Sequence, residues 1–149
     1  MSIQVKSLVK TFGDYTAVDD LSFSIEKPGV FALLGTNGAG KTTAIRMLLG
    51  MLTKNSGTVL WDGKPMASLT SQIGYLAEER GLYPKIDVID QLLYFAQLKG
   101  MSTAQAKSKI DFWFERLNIE EHKYKKASQL SKGNQQKVQL VVALLTDPQ

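Results

Sequence analysis

Residues 30–43 read Val-Phe-Ala-Leu-Leu-Gly-Thr-Asn-Gly-Ala-Gly-Lys-Thr-Thr, an apolar run followed at once by a glycine-rich segment. A continuous apolar run of this kind is typical of a strand that is covered on both faces of a parallel sheet. Residues 44–49 are mostly apolar and are followed by Gly50, which predicts a helix. Strand, glycine loop and helix, in that order, are the context that a phosphate-binding loop requires.

The segment Gly35-x4-Gly40-Lys41-Thr42 fits the phosphate-loop pattern at every position. Its glycines let backbone N–H groups approach phosphates, and the N-terminus of the following helix adds a positive dipole end. Lys41 is expected to reach the β- and γ-phosphates and to support catalysis, Thr42 to ligate Mg²⁺, and Thr43 to contact the α-phosphate. The predicted nucleotide-binding residues of this segment are Gly35, Asn37, Gly38, Ala39, Gly40, Lys41, Thr42 and Thr43.

The alternative interpretation of this segment is a chance glycine turn beside a surface lysine. The full pattern rarely arises by accident in a chain of 149 residues, and its flanks are correct, so the sequence predicts nucleotide binding. The loop alone leaves kinases, GTPases, helicases and transport ATPases open.

The remaining pattern divides the chain into a strand-rich first half and a helical second half. Alternating apolar residues predict half-buried strands at residues 3–5 and 21–25, a strand at 57–63 that ends in an Asp-Gly turn, and a short strand at 73–76. Apolar residues then recur at helical spacing, which predicts one helix over residues 87–100, a second capped by Ser102 or Thr103, and a third from about Gly133 to residue 147.

The composition only broadly limits the possible partners and cellular settings of the chain. The net charge of +4 and the pI near 9.2 would suit phosphate ligands, nucleic acid or an anionic membrane surface, so charge does not decide the partner. The sequence has no cysteine, which favours an intracellular setting. No segment approaches the ~20 apolar residues that span a bilayer, so any membrane link is expected through another protein.

A second motif narrows the class. Residues 130–137 read Leu-Ser-Lys-Gly-Asn-Gln-Gln-Lys and immediately precede the third predicted helix. With the phosphate loop upstream, this segment resembles the signature motif of the ATP-binding cassette (ABC) transporter ATPases, usually LSGGQ. Lys132 stands where that motif has a glycine and Asn134 where it has a glutamine. Ser131 alone would be an ordinary helix N-cap.

The resemblance covers essentially the whole chain, and it implies an α/β fold: the phosphate-loop NTPase core of an ABC ATPase, with N-terminal antiparallel strands and a helical lobe. Residues 1–84 would form the nucleotide-binding core and residues 85–149 the lobe. Phe12 lies where the family stacks an aromatic ring on adenine, with Tyr15 as competitor and simple packing as the alternative, and Val18 would line the same pocket. Ser131, Lys132, Gly133 and Asn134 would contact ATP held by a second ATP-binding subunit in a head-to-tail dimer.

Residues 73–78 resemble the segment in which the family has a glutamine that contacts magnesium and the attacking water. Glu78 stands at that position, so we expect it to be a metal ligand and a catalytic residue, whereas Glu79 and Arg80 fit a solvated charged turn. The family's metal-binding aspartate and catalytic glutamate are expected beyond Gln149. The domain is therefore expected to be incomplete at its C-terminus, with an exposed apolar sheet edge that promotes self-association. His122, the sole histidine, is predicted to lie in a solvated connector.

The implied function is the ATP-binding subunit of an ABC transporter, which couples Mg-ATP binding and hydrolysis to solute export. The string EERGLYPK at residues 78–85 resembles a subgroup of the family that serves two-component exporters, and this resemblance implies export. The subunit is expected in the cytoplasm, at the inner face of the membrane through a transmembrane partner subunit. Two alternatives stay open: a fragment that binds nucleotide without hydrolysis, and a soluble ABC protein that acts on nucleic acid or ribosomes, which the absence of basic tracts disfavours.

Overall fold

The computed structural model describes residues 2–65, 73–76 and 81–148. The chain divides into two compact units, Met1–Thr70 and Ser71–Gln149. The predicted boundary between residues 84 and 85 stays a prediction.

The first unit is built on a four-stranded antiparallel sheet. Its strands are β1 (Ile3–Phe12), β2 (Tyr15–Ile25), β3 (Ser56–Trp61) and β4 (Lys64–Pro65), in the order β2-β1-β3-β4. β1 is an inner strand of this sheet, paired with β2 and with β3. The predicted half-buried strands and the strand that ends at Asp62-Gly63 are confirmed. The Asp62 carboxylate accepts a hydrogen bond from the Ser2 backbone N–H (2.5 Å), which lowers the pKa of that carboxyl.

Helix α1 (Lys41–Leu48) packs on one face of this sheet. The helix and sheet share a core in which each residue is at most 9% exposed: Val5, Leu8, Val18, Ala44, Met47 and Val59. Burial of each large side chain stabilises the unit by roughly 1.5–3 kcal/mol. This packing fixes where α1 begins relative to β2.

The prediction of a doubly covered strand at residues 30–34 is wrong for the described structure. These residues lie in no strand, and Val30 and Leu34 are 102% and 88% exposed. Phe31 stacks on Phe23 with ring centroids 5.0 Å apart, and Leu33 packs against the core of the unit. An apolar run becomes a buried strand only beside hydrogen-bonded neighbours, and no described strand pairs with this run.

The second unit contains three helices, α2 (Val88–Leu98), α3 (Thr103–Leu117) and α4 (Lys132–Leu144). Short 3-10 turns, Glu120–His122 and Ala127–Gln129, connect α3 to α4. The predicted apolar faces form its core: Val88, Leu92, Ala96, Ile110, Phe114, Val138, Val141 and Leu145 are each at most 1% exposed. Ser102 caps α3 in a reciprocal capping box with Gln105, which confirms the first of the two predicted caps.

The short strand predicted at residues 73–76 is also wrong, because these residues lie in no strand. Gly74 approaches α4 instead, so closely that a Cβ would stand 2.4 Å from the Ala143 carbonyl oxygen. The backbone there faces a helix, which offers no strand edge for pairing.

A buried amide holds the chain that leads into α2. Gln91 is 2% exposed, and its Oε1 accepts a hydrogen bond from the Tyr83 N–H at 2.7 Å. Its Nε2 donates to the carbonyl oxygens of Tyr83 (2.9 Å) and Ile86 (2.8 Å), so both the oxygen and the nitrogen of this buried amide are hydrogen-bonded. In the part of the chain that the structure describes, no helix is long and apolar enough to cross a lipid bilayer.

Candidate functional site

The glycine loop turns through two left-handed residues before α1 begins. Gly38 and Gly40 have φ values of 84° and 80°, which side-chain-bearing residues rarely adopt. A Cβ on Gly40 would stand 2.0 Å from the Ala17 carbonyl oxygen and 3.2 Å from Val18 Cγ2, whereas one on Gly38 would meet nothing within 4 Å. Gly40 therefore anchors the loop against β2, while Gly38 lies on the open side.

Lys41 reaches back across this loop. Its Nζ donates hydrogen bonds to the carbonyl oxygens of Gly35 at 2.8 Å and Thr36 at 2.6 Å. An ammonium group has three N–H donors, so these two bonds leave one for an anion at the mouth of the loop.

The first turn of α1 presents a positive dipole end that suits an anion, together with the exposed hydroxyl of Thr42. Ala44 and Met47 are buried in the sheet packing, which fixes the helix, and Thr42 is exposed. The Ala44 N–H donates to the Gly40 carbonyl oxygen at 2.8 Å, so the helical ladder begins at the loop. Its positive dipole end coincides with the Lys41 charge.

Two aromatic rings stand at the end of the β1–β2 hairpin. Phe12 and Tyr15 are directly paired across the strands and are 49% and 58% exposed. The Tyr15 hydroxyl donates to the Gly38 carbonyl oxygen at 3.3 Å, which joins the hairpin to the loop. Lys10 Nζ lies 4.9 Å from the centroid of the Phe12 ring. The exposure of Phe12 argues against a role in core packing.

Val18 is only 8% exposed and belongs mainly to the core. It also lines a cavity of about 260 Å³ beside the loop, together with Leu33, Leu34, Gly40 and Lys41. Its predicted contact with the nucleotide base stays a prediction.

The predicted signature residues occupy the first turn of α4. Ser131 is the N-cap, and its Oγ accepts a hydrogen bond from the Asn134 N–H at 3.3 Å. Lys132 and Gly133 are exposed, and a Cβ on Gly133 would meet nothing within 4 Å. The packing of this unit therefore does not require glycine at position 133.

The interpretation of His122 as a solvated residue is wrong. Its side chain is 12% exposed, and the Asn134 side-chain Nδ2 donates to its Nε2 at 2.7 Å. The sequence offered no signal for this contact, because the two residues are separated by the turns that connect α3 to α4. Glu78, the predicted metal ligand and catalytic residue, lies outside the described residues, as do Glu79 and Arg80.

A match to a protein-family model shows which family this chain belongs to. A family model described as "ABC transporter" matches residues 18–149. This chain belongs to the ABC transporter family. The predicted family is thereby confirmed.

Curated ABC proteins match almost the whole chain. The uncharacterized ABC transporter ATP-binding protein YhaQ of Bacillus subtilis is 49% identical over 148 residues, which cover 99% of this chain and 50% of that protein. The Fe(3+) ions import ATP-binding protein FbpC of Agrobacterium fabrum is 33% identical, covering 99% of this chain and 43% of that protein. The Nod factor export ATP-binding protein I of Cupriavidus metallidurans is 33% identical, with 98% and 50% covered. The chain thus spans about half the length of the curated relatives it matches.

A solved structure described as an ATP-binding subunit of an ABC transporter superposes with a TM-score of 0.85 at 26% identity. The superposition covers 99% of this chain and 63% of that chain. The fold is therefore that of the ABC ATPases, as predicted, although residues 30–34 form no strand here. The ABC family implies ATP binding.

Proposed function

We propose that this ABC chain binds ATP with Mg²⁺ at residues 35–43, and that its parent protein uses ATP hydrolysis to drive solute export through a membrane subunit. The observation that carries the proposal is the loop geometry. Two left-handed glycines, the start of α1 and the Lys41 ammonium converge on one exposed segment. This combination suits a polyphosphate better than any neutral ligand.

Each loop residue has a separate role in this proposal. The exposed backbone of Gly35, Asn37, Gly38 and Ala39, with Gly40 behind it, would surround the phosphates. Lys41 would contact the β- and γ-phosphates with the N–H that its two carbonyl bonds leave over. Thr43, half-buried in the first turn of α1, would contact the α-phosphate.

The residues present fit a magnesium ion. Mg²⁺ prefers oxygen ligands and usually takes only one or two from the protein, with the rest from phosphates and water. Thr42 offers an exposed hydroxyl at the start of α1, and Glu78 would supply a carboxylate to the metal or its water. When bound, the ion would supply charge neutralisation for the phosphates.

Phe12 would stack on the adenine and Val18 would line the same pocket. Tyr15 is the competing platform, and its hydrogen bond to the Gly38 carbonyl favours a role in holding the loop instead.

In the parent protein, Ser131, Lys132, Gly133 and Asn134 would contact ATP on a second subunit in a head-to-tail dimer. The Ser131 hydroxyl, the N–H of the exposed Gly133 and the positive end of α4 all suit a γ-phosphate. We infer that the 149-residue chain alone binds nucleotide without turnover.

The proposed direction of transport, export, rests on the string at residues 78–85. Relatives include proteins named for import and for export, so direction needs its own test. The subunit would lie at the cytoplasmic face of the membrane. Co-purification of the full-length protein with a membrane subunit would support this placement, whereas co-purification with ribosomes would favour the soluble alternative.

Magnesium-dependent nucleotide binding tests the site. We expect Mg²⁺ to strengthen ATP binding by the wild-type chain and by Thr42→Ser, which keeps the hydroxyl, but not by Thr42→Ala. Calorimetric titration with and without Mg²⁺ measures the difference. Equal magnesium dependence in all three proteins would remove Thr42 from the metal site.

A further inference from the structure

His122 lies beside the first turn of α4, in a half-enclosed position. It ends the 3-10 turn Glu120–His122, and its side chain is 12% exposed although that of the neighbouring Glu121 is 76% exposed. Three groups surround the ring. Asn134 Nδ2 lies 2.7 Å from Nε2, Glu121 Oε1 lies 3.4 Å from the same nitrogen, and Lys125 Nζ lies 3.4 Å from Nδ1.

The Asn134 contact is the shortest of the three. The amide nitrogen of Asn134 is a donor only, so in this arrangement it donates a hydrogen bond to Nε2 of His122. The backbone N–H of Asn134 is already donated to Ser131 Oγ at 3.3 Å. Asn134 is therefore held twice, through its backbone by the cap and through its side chain by His122.

Neighbouring bonds hold the same turn from its other sides. Gln135 Nε2 donates to the carbonyl oxygens of Ala127 (2.9 Å) and Leu130 (3.1 Å), and Lys137 Nζ donates to the Leu117 carbonyl oxygen at 3.0 Å. These bonds fix the helix and the chain that enters it. Of these hydrogen bonds, the one with His122 involves the side chain of Asn134, a residue predicted to face the partner's ATP.

We propose that His122 is a positioning residue for the signature turn, because it pre-orients the Asn134 amide for the ATP held by a second subunit. The inference rests on the proposed function, since it assigns Asn134 a place at that composite site. Without the Nε2 acceptor the amide samples several rotamers, and ordering it again on association costs affinity. Ordering one such side chain corresponds to about a three- to tenfold loss in association.

Three variants separate positioning from mere structural support. His122→Leu removes the acceptor, His122→Gln restores an amide that can pair with Asn134, and Asn134→Ala removes the positioned group. In the full-length protein, association driven by a non-hydrolysable ATP analogue is measured by sedimentation. We expect His122→Leu to weaken association about three- to tenfold and His122→Gln to restore it. His122→Leu should add no further loss to Asn134→Ala.

A second readout does not depend on association. Because His122 is the only histidine of the 149-residue chain, ¹⁵N-histidine NMR in mildly alkaline buffer reports this ring alone. We expect an Nε2 signal that shifts in Asn134→Ala, because this substitution removes the contact with Nε2.

The outcomes distinguish the two hypotheses. Wild-type protein that binds the analogue but does not associate would contradict the proposed composite site. Three results would each overturn the positioning proposal. His122→Leu could associate as strongly as the wild-type protein, His122→Gln could fail to restore association, or the Nε2 signal could stay unchanged in Asn134→Ala.

Discussion

Replacement of Gly133 by alanine should stabilise the chain and yet impair the parent protein. Gly133 is exposed in the first turn of α4, its φ is not left-handed, and a Cβ would meet nothing within 4 Å. Glycine in a helix is roughly 0.5–1 kcal/mol less favourable than alanine. Gly133→Ala should therefore raise the free energy of unfolding by up to about that amount, which chemical denaturation of the 149-residue chain measures.

The same methyl group should obstruct the proposed contact with the partner's ATP. If the Gly133 N–H donates to a γ-phosphate oxygen, loss of that charged hydrogen bond costs about 1.5–3 kcal/mol, or about 10- to 150-fold in association. Sedimentation of the full-length protein with a non-hydrolysable ATP analogue measures the loss. Ser108→Ala on the exposed face of α3 is the matched control, because it improves helix propensity away from the signature turn.

Two results would refute this reasoning. Unchanged association of Gly133→Ala would mean that the Gly133 N–H does not meet the phosphate. A loss of stability would mean that the fold itself requires glycine there.

Three further predictions follow from the described contacts. Gly38→Ala should cost about 1–2 kcal/mol of stability from its left-handed backbone alone. Gly40→Ala should cost more, because its Cβ would stand 2.0 Å from a carbonyl oxygen. Chemical denaturation measures both losses of stability, and equal losses would contradict the tight packing of the loop. Phe12→Ala should weaken ATP binding by about 1–3 kcal/mol while sparing inorganic triphosphate. A larger loss of ATP affinity in Tyr15→Ala, with triphosphate binding again spared, would make Tyr15 the platform instead. Val30, Phe31 and Leu34 form no sheet edge but are exposed, so they should make the chain self-associate at high concentration. Leu34→Lys should reduce the association in light scattering, and a monomeric wild-type chain would contradict the prediction.

What the sequence predicted well is local. The glycine loop before α1, the Ser102 cap and the apolar faces of the three later helices depend on residues a few positions apart, and their spacing is visible in the sequence. The strand at residues 30–34 failed because a buried strand depends on neighbours supplied by other segments, which an apolar run does not reveal.

The sequence did not predict the tertiary hydrogen bonds, for the same reason. The Tyr15–Gly38 bond joins a hairpin to a loop, and the Asn134–His122 bond crosses two turns. Neither residue pair has a spacing that a helix or strand period would bring together.

The central claim is that the Lys41 loop binds ATP, and a titration of the chain with Mg-ATP tests it most directly. Lys41→Ala is compared with Lys54→Ala, which removes an exposed lysine of the same unit outside the loop. Loss of a charged hydrogen bond of about 1.5–3 kcal/mol predicts about 10- to 150-fold weaker binding for Lys41→Ala and wild-type binding for Lys54→Ala. Equal affinities of the wild-type chain and Lys41→Ala for Mg-ATP would contradict the account.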